Sequence, residues 1–478
     1  MIAARQIAFG SKKKEASEYW GLCFTAEEAD STVAMRAVGS APTVNLMTSY
    51  DGENWDPFYV GTTTINLPNV GDKVYFKAGD GGNTRFATSQ SDYTNFVMGK
   101  RVSASGNIMS LLNAEEKLTA IPSASCFTRL FHDCKSLTSA PELPATTLAD
   151  NCYRNMFQRC TSLTSAPELP ATTLVDSCYY GMFSGCSSIT SAPELPATTL
   201  ADSCYAYMFQ GWTSLTTAPE LPATILSKSC YVCMFQDCKS LTSAPELPAT
   251  TLAGSCYNYM FQRCTSLTSA PELPATTLSS SCYRYMFSGC TSLTSAPELP
   301  ATTLADSCYA CLFQNCTSLT SAPELPATTL ATGCYRNMFQ GCTSLTTAPE
   351  LPAETIAVEC YDYMFQNCTA LTTAPELPAK RIVVRCYRCM FSGCTSLTSV
   401  PELPATTLAD KCYNYMFQNC TALKHVRTLQ TSFDGCENWL SGVSEIGTFE
   451  CLSSLGTEET IERGTSACPE GWTVINKD

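Results

Sequence analysis

Histidine and recognisable catalytic motifs are the scarcest features of this 478-residue sequence. Only two histidines occur, His132 and His425, and they lie at opposite ends of the region around which the chain is organised. No GxSxG, HExxH, P-loop or dinucleotide-binding fingerprint is present. Because nucleophilic and acid–base catalysis need paired groups of this kind, the sequence predicts a protein that is not an enzyme and carries no cofactor.

Basic residues are also few. Lysine and arginine total 29 against 43 aspartate and glutamate residues, which gives a formal net charge of −14. Nucleic-acid binding needs a basic surface, so this balance excludes nucleic acid as the main partner.

Long apolar runs are absent as well. No stretch approaches the length of a membrane span, so we expect no membrane insertion. Residues 1–14, MIAARQIAFGSKKK, lack the apolar run of a signal peptide, and the chain as given is expected to have no route through the general secretory pathway. We expect this segment to be either disordered or a docking peptide for a larger assembly.

The dominant feature is one stretch of 26 residues that is repeated along the chain. A clean copy begins at Leu137 and reads LTSAPELPATTLADNCYRNMFQRCTSL through Leu163. Its first cysteine recurs twelve times at a strict 26-residue spacing, at Cys126, Cys152, Cys178, Cys204, Cys230, Cys256, Cys282, Cys308, Cys334, Cys360, Cys386 and Cys412. A fixed period of this size predicts a solenoid, in which each unit packs only on its neighbours.

Within each unit, the segment CYRNMFQRC predicts a short amphipathic helix with Asp150 or Asn151 at the N-cap. At about 100° per residue, five side chains share the inward arc of that helix: Cys152, Tyr153, Met156, Phe157 and Cys160. TSLTSA and ATTL predict extended pieces, and the prolines of PELP separate them because proline cannot donate to a ladder.

Stacked units would place the strands in one long parallel sheet, and twelve units would extend roughly 55–60 Å at the usual strand spacing. The predicted fold class is an α/β solenoid, a leucine-rich repeat stack of twelve units, each a short helix plus a strand. Identical residues would form inward columns, such as those of Leu137, Leu163 and Leu241, and of Phe157, Phe183 and Phe209.

The unit resembles the BspA-like leucine-rich repeats, which also read M-F-x-x-C-x-S-L before a strand. The match runs from about Leu118 to Leu423, although Leu130 and Leu312 replace Met and Trp212 replaces the second Cys. The resemblance implies a protein of gut anaerobes or of the phages that infect them.

The flanking regions predict end-pieces for the stack. Residues 15–103 contain seven short strand-like segments separated by turn signals, which predicts a β-sandwich. Its aromatic residues Trp55, Phe58 and Tyr59 are expected to pack in the core or turns, and Asp80 to lie at a hairpin tip. Residues 104–423 are predicted to form the solenoid with an N-terminal cap, and residues 424–478 a C-terminal cap over the last open strand edge.

The 30 cysteines follow the repeat. Cys152 and Cys160 would lie about 12 Å apart along a helix, too far for a disulfide, so the cysteines are interpreted as buried free thiols that act as small hydrophobes. Three CxxC motifs end at Cys233, Cys311 and Cys389. They are interpreted as repeat variation and not as metal sites, because four ligands do not converge.

Each PELP segment contributes one glutamate to a column that includes Glu142, Glu168, Glu194, Glu220 and Glu246. The favoured interpretation is a solvated acidic stripe, and the alternative is a row of weak Ca²⁺ sites. The first interpretation is preferred because no unit adds a second, nearby carboxylate at a fixed place.

The two residues after the repeated tyrosine vary freely, whereas the apolar columns barely change. The helical wheel places these two positions on the outward face, where a surface rich in Tyr, Arg and Asn is typical of recognition; the alternative is drift at exposed sites. The candidate binding residues are Arg154, Tyr180, Tyr207, Tyr259, Arg284, Tyr285, Arg336, Asp362, Tyr363, Arg388 and Tyr415.

The resemblance, together with the N-terminus described above, leads us to expect a phage virion protein such as a tail or head fibre. Its N-terminal segment or β-sandwich would contact other virion proteins, and its solenoid would contact a glycan or protein on the host cell surface. The alternatives are a BspA-like adhesin on the bacterial cell surface and a structural spacer. The sequence allows a homo-oligomer without indicating its size.

Overall fold

The computed structural model describes residues 19–477, so the predictions for residues 1–14 lie outside the described residues. The N-terminal part folds into two antiparallel sheets, one with the strand order β4-β3-β6-β1-β8 and one with the order β5-β2-β7. The strands are Cys23–Ala26 (β1), Ser31–Val38 (β2), Leu46–Ser49 (β3), Asp56–Phe58 (β4), Thr64–Leu67 (β5), Lys73–Ala78 (β6), Tyr93–Met98 (β7) and Val102–Ser105 (β8).

The two sheets share one apolar core. Phe96 of β7 contacts Phe24 of β1 with ring centroids 4.9 Å apart, and it contacts Phe76 of β6 at 5.3 Å. Each of the seven segments predicted to be extended overlaps a strand, and the last of them, TNFVMGKRV (residues 94–102), overlaps both β7 and β8. Assignment of the region to the β-sandwich class, and the domain boundaries, stay predictions.

The N-terminal sheets join the first repeat directly. Val102 of β8 bridges Leu137 in parallel, and the Phe96 amide donates a 2.8 Å hydrogen bond to the carbonyl of Leu130. The ring of Phe96 also stacks on Phe131 at 5.1 Å. The edges of β7 and β8 are thus covered by the solenoid, which protects them from pairing with other chains.

The segment predicted to be a helix is a series of tight turns, which we call the turn layer (residues 149–160 of the clean copy and their equivalents). Its amides alternate between two kinds of partner: Arg154 N–H donates to the Asn151 carbonyl three residues back at 3.1 Å, whereas Asn155 N–H donates to the Tyr180 carbonyl of the next unit at 2.8 Å. An α-helix would direct its amides four residues back within the segment. The predicted helix and its N-cap are therefore wrong.

Residues 19–477 contain no α-helix, and therefore none long and apolar enough to cross a membrane. The one helical element is the short 3₁₀ helix Ile108–Leu111. The α component of the predicted fold class is absent because every second amide of the turn layer bonds to the neighbouring unit, as in a sheet.

Every fourth residue of the turn layer has a left-handed backbone. The φ angle is +57° at Asn151, +53° at Asn155 and +61° at Arg159. At the positions equivalent to Arg159, other copies often carry glycine or asparagine, such as Gly185 and Asn315, with φ of +77° and +59°. These residue types adopt left-handed angles at the lowest cost, which explains their place in the repeat.

Asn315→Val is expected to lower the free energy of unfolding by about 1–2 kcal/mol, because a β-branched residue at positive φ is strained. Asn315 is exposed, so lost burial does not contribute to this value. Asn315→Gly is expected to be neutral or slightly stabilising. Urea unfolding of the full chain measures both variants. The control is Thr317→Val, at a position without a left-handed backbone, and it is expected to change the free energy of unfolding little. Equal losses for the two valine variants would contradict the backbone explanation.

The extended segments pair through isolated bridges, and the predicted long parallel sheet is wrong. Ser321 bridges Thr347, which in turn bridges Thr373. Each bridge of this row is followed two residues later by the first proline of APELP, as at Pro323. Proline has no N–H to continue the ladder, so each pairing of this row stops after one residue. A separate row of isolated bridges lies in the ATTL segments, as between Thr303 and Thr329.

The predicted apolar columns are confirmed. Leu137, Leu163 and Leu241 are fully buried, as is the phenylalanine column, in which Phe157 and Phe183 stack 5.5 Å apart with planes 3° from parallel. The repeated tyrosines form a second stack beside it. Offset stacking of buried rings adds to the stability gained from their burial.

All 30 cysteines are buried thiols, which confirms their interpretation as small buried hydrophobes. The second cysteine column has a further role: Cys160 Sγ donates to the Phe131 carbonyl of the preceding unit at 3.1 Å. Where Trp212 replaces cysteine, its Nε1–H donates to the equivalent Phe183 carbonyl at 2.8 Å. The column therefore needs a donor as well as an apolar group, and indole satisfies both requirements.

The C-terminal residues continue the stack. Three strands pair in parallel in the order β11-β10-β9, namely His425–Arg427 (β9), Gly447–Cys451 (β10) and Trp472–Asn476 (β11). Trp439 closes the tyrosine column by stacking on Tyr413 at 6.1 Å, and it lies 6.3 Å from Phe417 at the end of the phenylalanine column. One bulky side chain thus terminates both columns.

Candidate functional site

The two variable residues after each repeated tyrosine lie side by side along the turn layer, from Arg154–Asn155 to Asn414–Tyr415. We call this line of residues the variable band. Its second position has a left-handed backbone in every copy, for example φ +59° at Tyr207 and Tyr259. The left-handed backbone explains why Asn155 and Gly181 occur at this position, but tyrosine and cysteine do not favour left-handed angles.

The helical wheel misplaced the band. None of the eleven candidate binding residues is exposed: Asp362 is fully buried, and the other ten are half-buried. In the turn layer each residue lies beside its equivalent in the next unit, so neighbouring side chains cover one another. The predicted outward helical face does not exist, and the band is a partly covered ridge.

The N-terminal end of the band combines arginine with tyrosine. The Arg154 guanidinium lies over the Tyr180 ring, 3.7 Å from its centroid, and Tyr180 contacts Tyr207 with centroids 5.1 Å apart. Cation–π and aromatic contacts of this kind restrict the rotamers of all three side chains.

The middle of the band repeats this arrangement. Tyr259 and Tyr285 stack 4.6 Å apart with planes 7° from parallel, and the Arg284 guanidinium lies 5.1 Å from the Tyr285 centroid. Both tyrosines are half-buried, so part of each side chain remains open to solvent.

The C-terminal end of the band is ionic. Asp362 accepts two hydrogen bonds from Arg388, Nε to Oδ1 at 3.0 Å and Nη2 to Oδ2 at 2.9 Å, and Arg336 Nε lies 3.4 Å from the same carboxylate. Burial raises the pKa of Asp362, and the hydrogen bond and charge of Arg388 oppose that rise. Hydrogen bonding to Asp362 raises the pKa of Arg388, which keeps the guanidinium charged.

A second acid completes this cluster. Glu359 lies 3.2 Å from Nη1 of both Arg336 and Arg385. The Arg388 guanidinium also lies 4.9 Å from the Tyr363 centroid. We call Arg336, Glu359, Asp362, Arg385 and Arg388 the ionic cluster.

The last residue of the band contacts the C-terminal layer. Tyr415 donates its hydroxyl to Glu437 Oε1 at 2.9 Å, and Asn414 Nδ2 donates to Oε2 of the same carboxylate at 3.0 Å. The hydrogen bond from Tyr415 to Glu437 raises the pKa of the phenol.

The three additional cysteines belong to the band. Cys233 is buried beside Tyr207 of the preceding unit, and burial raises its pKa to about 12. Tyr285 with Cys311 and Tyr363 with Cys389 form equivalent pairs. The first cysteine of each CxxC faces the core instead, so the two thiols lie in different columns. No group of three or more His, Cys, Asp or Glu side chains in residues 19–477 is arranged to hold a metal ion.

The glutamate column lines a different surface. Successive PELP segments enclose open grooves, one of them about 490 Å³ in volume and lined by Pro193, Glu194, Pro219 and Glu220. Similar grooves recur at Glu168 and at Glu324.

The ionic cluster has a sequence signal that the prediction overlooked. The copies containing Glu359 and Arg385 depart from the common TTLAD pattern with ETIAVE and KRIVVR. Acid and base stand at equivalent positions of adjacent copies in both Glu359–Arg385 and Asp362–Arg388, and equivalent positions are neighbours in a stack.

Comparison with known proteins identifies the repeat. The profile of the BspA type leucine rich repeat region, with six copies, matches residues 112–242, 203–346, 254–375 and 333–457. No curated protein matches the chain. A solved structure described as "Crystal structure of TLR13-ssRNA13 complex" is similar, with 14% identity, a TM-score of 0.26, and coverage of 73% of this chain and 51% of that chain. The chain thus spans about half the length of that structure.

Proposed function

Because this chain belongs to the BspA-type leucine-rich repeat family, we propose that it is a non-enzymatic binding protein whose variable band contacts the surface of a bacterial host cell. A leucine-rich repeat stack is suited to binding or adhesion, since it presents an extended, regular surface. The observation that supports this role for the band is the contrast between its free variation and the near-identity of the buried columns.

The composition of the band supports the same proposal. Tyr207, Tyr259 and Tyr285 are half-buried, and tyrosine contributes a large contact area with little rotamer freedom to lose. Their stacking on neighbours already restricts them, so less entropy is lost when a partner binds. The partner is a glycan or protein of the host surface.

The proposal also includes the location of the protein. We place the protein in a phage virion, as a tail or head fibre in which the N-terminal region contacts other virion proteins and the solenoid extends toward the host. This rests on analogy with the resemblance described above. Antibodies against the chain that label phage particles would support it, whereas labelling of the bacterial surface would favour an adhesin.

The binding role is tested by replacing band tyrosines with a residue that the band itself uses. Tyr207→Asn, Tyr259→Asn and Tyr285→Asn introduce the residue found at Asn155 and Asn337, which suits a left-handed backbone. The triple variant should fold normally and bind intact cells of gut anaerobes at least about tenfold more weakly than the original chain.

The matched control changes the glutamate column through Glu168→Gln, Glu194→Gln and Glu220→Gln, and it should bind as the original does. Equal binding by the tyrosine variant would move recognition away from the band. If the original chain binds none of the gut anaerobes tested, the result would favour a structural spacer.

A further inference from the structure

A cavity of about 530 Å³ lies where the N-terminal sheets meet the segment that follows the 3₁₀ helix. We call it the junction cavity. Its walls come from Asn45 just before β3, the end of β6 with its glycine-rich turn at Lys77–Gly82, Trp55 before β4, and residues Leu112–Glu115. Its volume falls within the range of about 300–1,000 Å³ that is typical of small-molecule sites.

The walls are held together by one side chain. Asn83 Nδ2 donates to the carbonyls of Asn45 and Leu111, both at 2.8 Å, and Asn83 Oδ1 accepts from the Asn45 amide at 2.8 Å. The Asn83 amide donates to the Leu112 carbonyl at 2.9 Å. These bonds join three separate stretches of chain, so the junction cavity is formed before any ligand arrives.

Trp55 supplies an aromatic wall. Tyr19 packs against it with centroids 5.1 Å apart in an edge-on arrangement, and the Lys77 ammonium lies 4.3 Å from the centre of the indole. The negative face of the ring therefore already accepts an electropositive group. The C–H groups on one face of a pyranose are weak donors of the same kind.

Polar groups with unused hydrogen-bonding capacity surround this ring. The carboxylates of Asp80 and Glu115 are exposed, and neither has a hydrogen-bond or ion-pair partner within residues 19–477. Asn113 Oδ1 accepts from the Glu115 amide at 2.8 Å, which leaves its Nδ2 donors available. The lining thus offers acceptors and donors together, as sugar hydroxyls require.

The charges of the lining narrow the ligand class. An anion would meet Asp80 and Glu115, whereas a cation would meet Lys77 at the ring face that it would otherwise occupy. A neutral polyol is repelled by neither charge, and it stacks on Trp55 once the Lys77 side chain moves off the ring and donates to a sugar hydroxyl instead. We infer that the junction cavity binds a short, neutral oligosaccharide stacked on Trp55, with hydroxyls bonded to Asp80, Glu115 and Asn113. This inference is independent of the variable band.

The test uses the full chain and three neutral probes: maltotriose, mannotriose and N,N′,N″-triacetylchitotriose. Saturation-transfer NMR detects binding at millimolar concentration, and calorimetry gives Kd. We expect at least one probe to bind, Trp55→Ala to abolish the transfer signal, and the double variant Asp80→Asn with Glu115→Gln to raise Kd about tenfold or more. Both positions of the double variant are exposed, so this variant should stay folded. Its loss of binding can therefore be interpreted even if Trp55→Ala unfolds the protein. Tyr59→Ala, at a residue 64% exposed and outside the lining, should bind unchanged.

Three results would overturn the inference. The first is that no probe binds the original chain. The second is that both cavity variants bind the probe as well as the original does, which would place sugar binding elsewhere on the molecule. The third is that polylysine binds and competes where the sugars do not, which would make the cavity a site for cationic peptides. The cell-binding variants of the tyrosine band do not touch this cavity, so the two proposals fail separately.

Discussion

Raising the pH above about 9 is expected to unfold this protein within roughly one pH unit. Two columns of buried thiols run the length of the repeats, and burial raises the pKa of Cys186, Cys290 and Cys342 to about 12. An unfolded thiol ionises near pH 8.5. The folded state therefore holds protons that the unfolded state releases.

The free energy of unfolding should fall as the pH rises, because folding raises the pKa of these thiols. A group whose pKa is raised on folding contributes its full stability below the unfolded pKa and loses that contribution as the pH rises toward the folded value. Between about pH 9 and pH 12, each such thiol lowers the free energy of unfolding by about 1.4 kcal/mol per pH unit. More than twenty thiols act together, and their combined effect exceeds the total stability of about 5–15 kcal/mol that is typical of folded domains.

Circular dichroism at increasing pH, with a reductant present to prevent oxidation, measures the transition. The control is a variant with Cys256→Ala, Cys282→Ala and Cys308→Ala. This variant loses some packing at neutral pH, but its free energy of unfolding should fall less steeply with pH, by about 1.4 kcal/mol per pH unit for each thiol removed. A chain that stays folded to about pH 11 would contradict the account.

Much of the core was predictable because identical residues at a fixed period leave little choice of burial. Leu163, Phe157 and Cys160 recur in nearly every copy, so any stack of the units must bury them as columns. The N-terminal strands were predictable from alternation, as in β2, where Ser31, Val33 and Met35 are buried and the residues between them are not.

The turn layer was mispredicted because the apolar residues repeat at the same spacing in both structures. Cys152, Met156 and Cys160 are four residues apart, which satisfies a helical wheel and equally satisfies turns with a four-residue period. The discriminating signal lay in the polar positions, where glycine and asparagine recur at equivalents of Arg159. These residue types favour left-handed angles, which a helix interior does not use.

The candidate binding residues were selected from the sequence, but the sequence analysis assigned them to the wrong kind of surface. Variation identified the positions after the tyrosine, yet burial depends on the direction of each side chain, which the helical wheel assigned incorrectly. Asp362 is the clearest case, since a residue interpreted as an exposed contact proves to be fully buried. The donor role of the second cysteine column was also beyond the sequence, although Trp212 was a signal for it because both side chains donate.

Asp362→Ala is expected to lower the free energy of unfolding by about 3–5 kcal/mol, the cost of breaking a buried ion pair. The carboxylate is fully buried and paired with two guanidiniums; its removal leaves Arg388 without its acid partner, whereas Arg336 keeps Glu359. The side chains of Arg388 and Arg336 are 20% and 43% exposed, so solvent relieves part of the loss and the lower end of the range is expected. Urea unfolding of the full chain at neutral pH measures it.

The double variant Asp362→Ala with Arg388→Ala distinguishes a lost pair from lost packing. Ala206 and Ala310 occupy the position equivalent to Asp362 in other copies and are almost completely buried, so alanine itself fits this site. Removing both charges should therefore restore at least half of the stability that the single variant loses. A double variant no more stable than Asp362→Ala would contradict the pairing.

The same pair offers a reason for placing costly buried charges in a nearly uniform stack. Copies that are almost identical can pair in a shifted register, with one unit skipped, while their apolar columns still align. Such a shift would separate Asp362 from Arg388 and set the buried carboxylate beside a copy that lacks a matching base. A buried polar pair that specifies register is the best-attested use of such interactions. We therefore expect the double variant to recover stability but to refold from urea to a mixture of registers. Hydrogen exchange would detect this mixture as heterogeneous protection of the backbone amides. A refolded product with uniform protection would contradict a role of the pair in register.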